Sequence, residues 1–514
     1  MTDVSPPFRK VLVANRGEIA LRVVRGCRDL GVESVAICSE ADQAAPHVRY
    51  ADEAYTIGPA EASESYLAIE KILDAARRSQ AEAVHPGYGF LAENAEFAQA
   101  CTDAGLVFIG PPPAAMEKMG SKLEARRTLQ AAGVPLIPGT IEPVRDPSEA
   151  ERVAREIGYP LLIKASAGGG GKGIREVNDA EELTRAIANA QQEARAAFGD
   201  DAIYVEKLLR PVRHIEIQLI ADRQGQVVTL GERECSIQRR RQKLIEEAPA
   251  PTMTPELRMR MREAARKVAE ACDYVNAGTV ECLVFDDDQF AFLEMNTRLQ
   301  VEHPVTEMVW RVDLVAEQLR VAAGQPLTFT ENDLTMRGWA IECRVAAEDP
   351  YQGFLPSTGT VHHYREPAGP GIRVDSGLYD GMIVGVHYDP LLAKIIARGL
   401  DREQARRRML RALSEFRLLG LQTNVPFHIA MLQDPNFIAG AIDTDYVERT
   451  VHLTTDDRPD HTDIAALAAA SFLQRNGSSA GTPGRDQGGP VAGPDPWVQR
   501  SRGQQGLVAG WRRN

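Results

Sequence analysis

The chain has 514 residues, 44% hydrophobic and 25% charged, a balance typical of globular proteins large enough for several domains. Its formal net charge of −13 argues against nucleic acid and anionic membrane surfaces as partners. The seven cysteines include no Cys-x-x-Cys pair, which favours reduced thiols and a cytoplasmic location over a disulfide framework or a structural zinc site. No stretch approaches the roughly 18 apolar residues of a membrane span, and MTDVSPPFRK has no signal-like apolar segment.

The first predicted elements alternate strands with a helix. Apolar runs at 11–13 and 35–38 flank segment 19–30, in which apolar residues recur at helical spacing. This β-α-β order predicts a parallel, Rossmann-like sheet. A further strand at 82–85 ends at the loop Pro86-Gly87-Tyr88-Gly89. Loops at such strand ends commonly carry ligand contacts.

A new domain is predicted to begin near Gly120. Two helical stretches and a Pro/Gly-punctuated connection lead to a strand at 161–164. Apolar strands at 279–285 and 290–295 are joined by an acidic turn, which predicts a hairpin. A third region, about 338–447, mixes strands with a basic helix around 402–417.

The composition changes after His452. Residues 462–473 predict one short helix, and residues 476–496 are rich in Gly, Pro and Ser, as in a linker.

The glycine run 168–173 follows a strand and would let backbone N–H groups close over a phosphate. It fails the P-loop pattern because Ser166 stands at the first glycine position. It also lacks the following helix of a dinucleotide fingerprint, since 174–177 reads as a strand. A glycine-rich lid over ATP and a plain surface loop both stay open.

Three lysines, Lys122, Lys164 and Lys207, stand in semi-apolar settings. An ammonium group there can neutralise a phosphate or contact a purine. The alternative for each one is a surface lysine with its stem lying along apolar neighbours.

The predicted hairpin carries the strongest local signal. Glu294 and Asn296 share one strand face because side chains alternate with a period of two. Together with Glu281 on the partner strand they offer three oxygen ligands, which suit Mg²⁺ at nucleotide phosphates. The alternative is an exposed acidic hairpin.

The basic run from Gln238 to Lys243 is followed at once by Glu246 and Glu247. In an acidic chain this favours a site for a small anion over a nucleic-acid surface. A solvated run of charges is the alternative.

Taken together, several segments resemble the biotin carboxylase family, in matching order and over about residues 8–451. The segments are Val13-Ala14-Asn15-Arg16-Gly17-Glu18-Ile19-Ala20, His85-Pro86-Gly87-Tyr88-Gly89-Phe90-Leu91-Ala92-Glu93-Asn94, Lys164 through Gly173, Arg213-His214-Ile215-Glu216, Glu294 through Thr306, and Glu342-Cys343-Arg344.

The resemblance implies an α/β (α+β) fold of three domains and a tail. A Rossmann-like N-terminal domain would span 1–119, and an ATP-grasp domain 120–330 with a mobile lid at about 135–205. A biotin carboxylase C-terminal domain would span 331–452, with a short helix and flexible tail at 453–514.

The resemblance also implies the site residues. ATP would be held by Lys122, Lys164, Gly170, Gly171, Glu206, Lys207, Leu209, His214, Gln238, Arg241, Glu281 and Glu294. The metal would be held by Glu281, Glu294 and Asn296. Bicarbonate and biotin would meet Lys243, Arg298, Gln300, Val301, Glu302 and Arg344, of which Arg298, Glu302, Lys243 and Arg344 form the catalytic set.

The implied activity is ATP- and bicarbonate-dependent carboxylation of biotin through carboxyphosphate, with Mg²⁺ or Mn²⁺. Glu302 would act as the base, and Arg344 with Arg298 would stabilise the biotin anion. Biotin would arrive on a separate carrier protein, and a carboxyltransferase would complete an acetyl-CoA or acyl-CoA carboxylase of the kind used in fatty acid biosynthesis. A homodimer is expected.

Two departures from the family pattern are Arg241, where His or Asn is usual, and Ala346, where Asn is common. The tail resembles the start of the segment that follows the carboxylase domain in longer α chains, so a split α chain is expected. The alternatives are another ATP-grasp ligase, such as a carbamoyl-phosphate synthetase half or a purine-pathway carboxylase, and an inactive scaffold of a carboxylase complex.

Overall fold

The structure is a computed structural model that describes residues 6–165, 174–198, 201–286, 288–451 and 453–458. The described residues up to Asp456 belong to one compact unit. The predicted glycine-loop residues Gly170 and Gly171 lie outside the described residues, as do the predicted helix at 462–473 and the linker after it.

The N-terminal region alternates strands and helices, as its apolar pattern predicts. Its strands pair in parallel in the order β3-β2-β1-β4-β5, which confirms the Rossmann-like sheet. The elements are β1 (Lys10–Val13), α1 (Gly17–Asp29), β2 (Glu33–Ser39), α2 (Pro46–Tyr50), β3 (Glu53–Gly58), α3 (Ile69–Ser79), β4 (Ala83–His85), α4 (Ala95–Asp103), β5 (Val107–Phe108) and α5 (Pro113–Gly120).

The central region follows with mixed elements. They are α6 (Lys122–Ala131), α7 (Pro147–Ile157), β6 (Leu161–Ala165), β7 (Ile174–Val177), α8 (Ala180–Phe198), β8 (Ile203–Lys207), β9 (Arg213–Ala221), β10 (Val227–Arg239), β11 (Gln242–Ala248), α9 (Pro255–Ala271), β12 (Asn276–Phe285), β13 (Gln289–Asn296), α10 (His303–Trp310) and α11 (Leu314–Ala322).

The C-terminal region is built mainly from strands. Its elements are β14 (Trp339–Ala346), β15 (Glu348–Asp349), β16 (Leu355–Pro356), β17 (Gly359–Thr360), β18 (His363–Arg365), β19 (Ile372–Ser376), β20 (Ile383–Val384), β21 (Leu391–Gly399), α12 (Arg402–Glu415), β22 (Arg417–Leu419), α13 (Val425–Gln433), α14 (Pro435–Ala439) and α15 (Tyr446–Thr450). The predicted basic helix is therefore α12.

A small antiparallel sheet, in the order β7-β6-β8, lies within the predicted lid. Helices α7 and α8 cover it with apolar residues such as Ala154 and Ile187, which pack on Ile163 and Val205. The segment therefore has a hydrophobic core of its own. Its mobility stays a prediction.

The largest sheet of the described residues has eight antiparallel strands in the order β13-β12-β9-β10-β11-β14-β21-β19. The predicted hairpin of β12 and β13 is confirmed, with Phe285 opposite Gln289. The sheet also runs across the predicted domain boundary at 330/331, because β11 pairs with β14. The division into domains at that point stays a prediction.

Helix α9 illustrates how the sheet is covered. The side-chain oxygen of Thr254 caps the helix by accepting from the Leu257 N–H, and Pro255 occupies the first turn. Leu257, Met261 and Val268 recur at helical spacing and are buried against the sheet strands. Each such side chain contributes roughly 1.5–3 kcal/mol through burial, so a charge at Met261 would weaken the packing of the helix on the sheet.

Candidate active site

Four ionisable side chains stand in one row across the large sheet. In register, Glu294 on β13 faces Glu281 on β12, Glu281 faces Glu216 on β9, and Glu216 faces Arg233 on β10. Glu216 and Arg233 are fully buried, and Glu281 is 5% exposed. The strand pairing therefore concentrates three carboxylates that lie far apart in the sequence.

Lys243 on β11 joins this row to Glu302. Its ammonium donates to Glu216 at 2.6 Å, to Glu281 at 2.8 Å and to Glu302 at 2.7 Å. Glu302 immediately precedes helix α10 and is 2% exposed. One cation is thus shared by three buried carboxylates, which attract it far more strongly than they would in water.

The pKa values of this group reflect that sharing. Burial alone would raise the pKa of Glu302, but the positive charges of Lys243, Arg344 and Arg233 hold it well below its usual range. Burial likewise opposes the charge of Lys243, yet the surrounding carboxylates raise the Lys243 pKa well above its usual value. Lys243 and Glu302 are therefore both ionised at neutral pH.

Arg344 on β14 binds the other oxygen of Glu302. The Nη2 atom donates to Glu302 Oε2 at 2.9 Å, and Nε donates to Glu246 Oε1 at 2.5 Å. Behind it, Asn424 holds the backbone by donating to the Arg344 carbonyl at 3.0 Å and accepting from the Ala346 N–H at 2.9 Å. The departure at Ala346 thus lies at a backbone position that Asn424 fixes.

Arg298 takes a different position from the rest of the predicted catalytic set. It donates to Asn296 at 2.8 Å and to Glu93 at 3.1 Å, while Glu93 also accepts from the Thr297 N–H. Glu93 belongs to a segment that resembles the family, but no local pattern marks it for a role. The structure brings Lys243, Glu302 and Arg344 together and places Arg298 against a predicted metal ligand.

The predicted metal ligands share one face of the β12–β13 hairpin. Asn296 donates to Glu281 Oε1 at 2.7 Å, and Glu294 lies opposite Glu281 in register. Glu294 is accessible to solvent, although protein atoms around its carboxyl group and the negative charge of Glu281 raise its pKa. Because Glu281 and Asn296 are buried, the alternative of an exposed acidic hairpin is wrong for these two residues. The oxygen donors fit a hard divalent cation.

Glu281 is already the most heavily contacted member of this set. Besides Lys243 and Asn296, it accepts from Gln300 Nε2 at 2.7 Å and lies 3.0 Å from His214 Nε2. Burial opposes the charges of both groups, but Lys243 and His214 lower the Glu281 pKa, and Glu281 raises the His214 pKa. His214 therefore stands beside the metal-ligand set, where the resemblance predicted a nucleotide contact.

The predicted nucleotide residues of the small sheet fall into two groups. Lys164 binds Glu206, which also accepts from Arg126 at 3.0 Å. Lys207 instead donates to the backbone carbonyls of Gly158 at 3.1 Å and Tyr159 at 2.7 Å. Lys164 and Glu206 thus contact each other, and the Lys207 ammonium is bound elsewhere.

The remaining predicted nucleotide-binding residues lie on separate elements of the fold. Leu209 is half-buried after β8, and Lys122 begins α6, with its side chain outside the described atoms. Gln238 is buried on β10 opposite Lys243, whereas Arg241 is exposed at the hairpin tip with φ of 66°. The basic run from Gln238 to Lys243 therefore combines one cross-strand pair, formed by its two end residues, with a solvent-exposed turn that includes Arg241.

Gln300 and Val301 form the loop before Glu302. Gln300 links Glu281 to the fully buried Arg233, which donates to its Oε1 atom. The Val301 carbonyl accepts from Lys394 on β21 at 2.8 Å, and Lys394 also lies 3.0 Å from Glu18. The loop is thus fixed from two sides.

Sequence reasoning assigned no role to Glu216, Arg233 or Glu246, all of which contact the cluster. Arg233 donates to Glu216, to Gln218 at 2.8 Å and to Thr306 at 2.8 Å. The signal that could have found it is the run Glu232-Arg233-Glu234, which interrupts an otherwise apolar strand. Charges at such positions are buried only when partners converge on them.

Three family models match the chain in order. The biotin carboxylase N-terminal domain matches residues 7–116, and the biotin carboxylase C-terminal domain matches residues 342–449. Between them, the ATP binding domain of the carbamoyl-phosphate synthase L chain matches residues 121–330.

Named relatives are similar over most of their length. A pyruvate carboxylase subunit of Methanothermobacter thermautotrophicus is 54% identical, over 86% of this chain and 90% of its own. Biotin carboxylase 1 of Bacillus subtilis is 49% identical, over 86% of this chain and 98% of its own.

Solved structures agree with these relatives. A Campylobacter jejuni biotin carboxylase, in a beta-gamma-ATP complex, has a TM-score of 0.82 and 44% identity, and the match covers 86% of this chain and 99% of that one. The biotin carboxylase domain dimer of the Hydrogenobacter thermophilus 2-oxoglutarate carboxylase, with MgADP, ADP and bicarbonate, has a TM-score of 0.82 and 47% identity, covering 87% and 98%. The chain therefore belongs to the biotin carboxylase family.

Proposed function

We propose that this chain uses ATP, bicarbonate and Mg²⁺ or Mn²⁺ to carboxylate biotin on a separate carrier protein. The single observation that supports this best is the position of Glu302, whose two carboxylate oxygens contact Lys243 and Arg344. A carboxylate between two cations provides a base and an anion site in one place. The family assignment supplies the reaction that uses both.

In the first step, bicarbonate gives its proton to Glu302 while its oxygen attacks the γ-phosphorus of ATP, and the bond to ADP breaks. General-base help of this kind contributes roughly 10²–10⁴ in rate. The product is carboxyphosphate, which breaks down into CO₂ and phosphate. The phosphate so released takes the ureido N–H proton of biotin, and the nitrogen anion attacks CO₂ to form carboxybiotin.

The low pKa of Glu302 makes it a weak base as long as Lys243 and Arg344 contact it. Bicarbonate is an anion and competes for the same cations. When it binds beside Lys243, the attraction between Glu302 and the cations is shared, and the Glu302 pKa rises. Glu302 therefore becomes a stronger base only when bicarbonate, which carries the proton to be removed, is bound.

The metal would be held by Glu281, Glu294 and Asn296, whose oxygen donors suit it. When bound, Mg²⁺ supplies positive charge against the phosphate oxygens during phosphoryl transfer. The protein prepares this site by holding Glu281 with Lys243, Gln300 and Asn296, so the carboxylate is oriented beforehand.

In this proposal the nucleotide is bound by residues of the small sheet, of helix α6 and of strands β9 and β10 of the large sheet. Lys164 and Glu206 supply an ammonium and a carboxylate that contact each other, and a nucleotide would exchange that contact for contacts of its own. Lys122, Gly170, Gly171, Lys207, Leu209, His214, Gln238 and Arg241 complete the proposed set. The proposed lid at about 135–205 would exclude water from carboxyphosphate.

Arg344 serves the biotin half-reaction in this proposal. Its guanidinium would face the ureido oxygen as negative charge develops there, with Arg298 as a second cation. Glu246 and Glu302 orient the guanidinium through Nε and Nη2. Preorganised donors of this kind cost no reorganisation during the reaction.

The proposed partners are a biotin carboxyl carrier protein and carboxyltransferase subunits, with a homodimer as the assembly. The similar proteins named above differ in the acceptor that their names imply, pyruvate in one and 2-oxoglutarate in another. A shared first half-reaction explains why one chain resembles all of them.

All seven cysteines are free and buried, which agrees with the cytoplasmic location predicted from the sequence. No described helix is both long and apolar enough to cross a bilayer.

The test is ADP release by the purified chain with MgATP and bicarbonate, with and without an added biotinylated carrier. The proposal expects ADP release and carrier carboxylation to rise together. The chain contains no Ala-Met-Lys-Met segment, so no streptavidin-reactive band is expected at its own mass. ADP release that is fast without the carrier and does not rise when the carrier is added would favour another ATP-grasp ligase, and no ADP release at all would favour a scaffold.

A further inference from the structure

Two glutamates behind Arg344 face each other at the centre of the large sheet. Glu246 on β11 and Glu342 on β14 are direct partners in the antiparallel register. Both are fully buried. Directly opposed residues of such strands have Cβ atoms roughly 4.5–5.5 Å apart, so the two carboxyl groups are within reach of each other.

Three of the four carboxyl oxygens in this pair lack a hydrogen-bond partner among the described residues. Glu246 Oε1 accepts from Arg344, whereas Glu246 Oε2 and both oxygens of Glu342 accept from no described donor. Buried polar atoms are almost always paired, and two opposed anions repel each other. A dianionic pair would therefore be strongly unfavourable here.

The positively charged side chains near the pair already contact other groups. Arg344 donates to Glu246 and Glu302, and Lys394 donates to the Val301 carbonyl and lies beside Glu18. Helix α12 covers the opposite face of β14, next to Cys343. The charged groups that act on the pair are Arg344, Lys394, Lys243 and Glu302. The neutral titratable groups close to the pair are Tyr88, Cys235 and Cys343, and burial, together with the charge of one or both glutamates, raises the pKa values of these groups.

We propose that Glu342 is a neutral carboxylic acid at neutral pH, that its O–H donates to Glu246 Oε2, and that this shared proton makes Glu342 a positioning residue for Arg344. One proton satisfies the orphaned Glu246 oxygen and leaves a single negative charge on the pair. That charge balances one side of the Arg344 guanidinium, while Glu302 balances the other.

The titration behaviour of the pair agrees with this arrangement. Burial raises the pKa of Glu342 well above its usual value despite the opposing charge of Lys394, and Glu246 adds to the rise. Burial also raises the pKa of Glu246 to about 7, against the attraction of Arg344. The two groups titrate as a pair, in which the last proton is held to high pH.

Loss of that proton has a consequence for Arg344, which rests on the proposed function. A second negative charge next to Glu246 draws the guanidinium toward the pair and away from Glu302 and biotin. Biotin carboxylation should therefore decline on the alkaline side as the pair becomes dianionic.

The direct test is infrared difference spectroscopy of the whole protein at neutral pH, in H₂O and ²H₂O. Glu342→Gln should remove a protonated-carboxyl C=O band that shifts on deuteration. The control is Glu232→Gln on β10, because Glu232 is buried and both of its oxygens accept hydrogen bonds from Arg258. The control should leave the band intact.

A wild-type protein without any protonated-carboxyl band at neutral pH overturns the proposal, even if Glu342→Gln does not fold. A band equally present in wild type and Glu342→Gln overturns it as well. Neither infrared result depends on turnover, so both test the proposal independently of the proposed reaction.

The second measurement is the pH profile of free-biotin carboxylation. The amide introduced by Glu342→Gln keeps an N–H donor toward Glu246 but has no proton to lose. The alkaline midpoint of the variant should therefore move upward by about one pH unit or more. An unmoved alkaline midpoint would contradict the positioning role of Glu342.

Discussion

Lys243 Nζ lies 2.7 Å from Glu302 Oε1 and donates in the same position to Glu216 and Glu281. The ammonium thus links the proposed base to the proposed metal ligand through one atom. A change in charge at either carboxylate is felt by the other, because both are buried and share one counter-ion.

Glu302→Gln should lower bicarbonate-dependent ADP release by roughly two to four decades while nucleotide affinity is kept. The amide preserves the shape of the side chain but cannot accept the proton. Steady-state turnover and calorimetric ADP binding check the two parts. Glu317→Gln, a buried glutamate on α11 that binds Arg320, is the control and should keep wild-type turnover. Undiminished turnover in Glu302→Gln would remove it from the mechanism.

Arg344→Ala should impair free-biotin carboxylation by about 2.7–4 kcal/mol, or roughly 10²–10³ in rate, if it stabilises the ureido oxygen. Slow bicarbonate-dependent ATP hydrolysis without biotin should be largely retained. The two rates are measured side by side on the same preparation. Arg239→Ala, a partly exposed arginine stacked on Phe354, is a control for lost charge alone. An equal loss of both activities in Arg344→Ala would indicate a structural role instead.

Glu294→Gln should raise the Mg²⁺ concentration needed for half-maximal turnover, because a charged ligand is lost from a site for a hard cation. The exposed Glu270→Gln on α9 is the control and should leave the requirement unchanged. Turnover against Mg²⁺ at saturating ATP gives both values. Superimposable Mg²⁺ titrations for wild type and Glu294→Gln would reject the assignment.

Lys243→Met should lower the free energy of unfolding by roughly 3–5 kcal/mol, since three buried carboxylates lose their shared cation. Against the effect of burial, Lys243 lowers the pKa values of Glu281 and Glu302 in the folded protein, so these pKa values should rise in the variant, and it should lose less stability than the wild type as the pH falls. Urea denaturation at two pH values checks both points. Lys10→Met, which breaks a partly exposed pair with Glu53, should cost at most about 1 kcal/mol.

Acid should destabilise the fold partly through His428 on α13. Burial lowers the pKa of His428 to about 4, despite the Arg344 carbonyl that its Nε2 contacts at 2.7 Å. The unfolded chain therefore binds the proton more tightly, and stability is lost as the pH falls from about 6.5 toward about 4. His428→Gln should remove about 2 kcal/mol of that loss between pH 7 and 5.

The same urea series on His362→Gln, which changes an exposed histidine, should follow the wild-type slope. An identical pH slope for wild type and His428→Gln would refute the role of His428.

Local patterns predicted the fold well where neighbours in sequence are neighbours in space. The β-α-β order near Ile19 and the hairpin that pairs Glu281 with Glu294 both follow from short-range periodicity. The hairpin register even predicted the shared face of the metal ligands. Period-two alternation is sufficient for that, because the two strands are joined by a short turn.

The rest of the site depends on pairings between distant strands. The register that brings Glu216 beside Glu281 joins β9 to β12, and the one that opposes Glu246 and Glu342 joins β11 to β14, each across a long stretch of sequence. No local pattern encodes those distances. The family resemblance supplied Lys243, Glu302 and Arg344 as a set, but not the carboxylates and the arginine that hold them.

The continuous sheet from β13 to β19 has a mechanical consequence for the two proposed half-reactions. In the proposed function, Glu281 serves the ATP half-reaction and Arg344 the biotin half-reaction, and both are attached to one hydrogen-bonded sheet through β12, β9, β10, β11 and β14. We therefore expect the distance between these two residues to change little during the proposed reaction. The proposed opening and closing would then be confined to segments outside this sheet. A variant with weakened pairing between β11 and β14 should consume ATP without carboxylating biotin, although the substituted residue contacts neither ATP nor biotin.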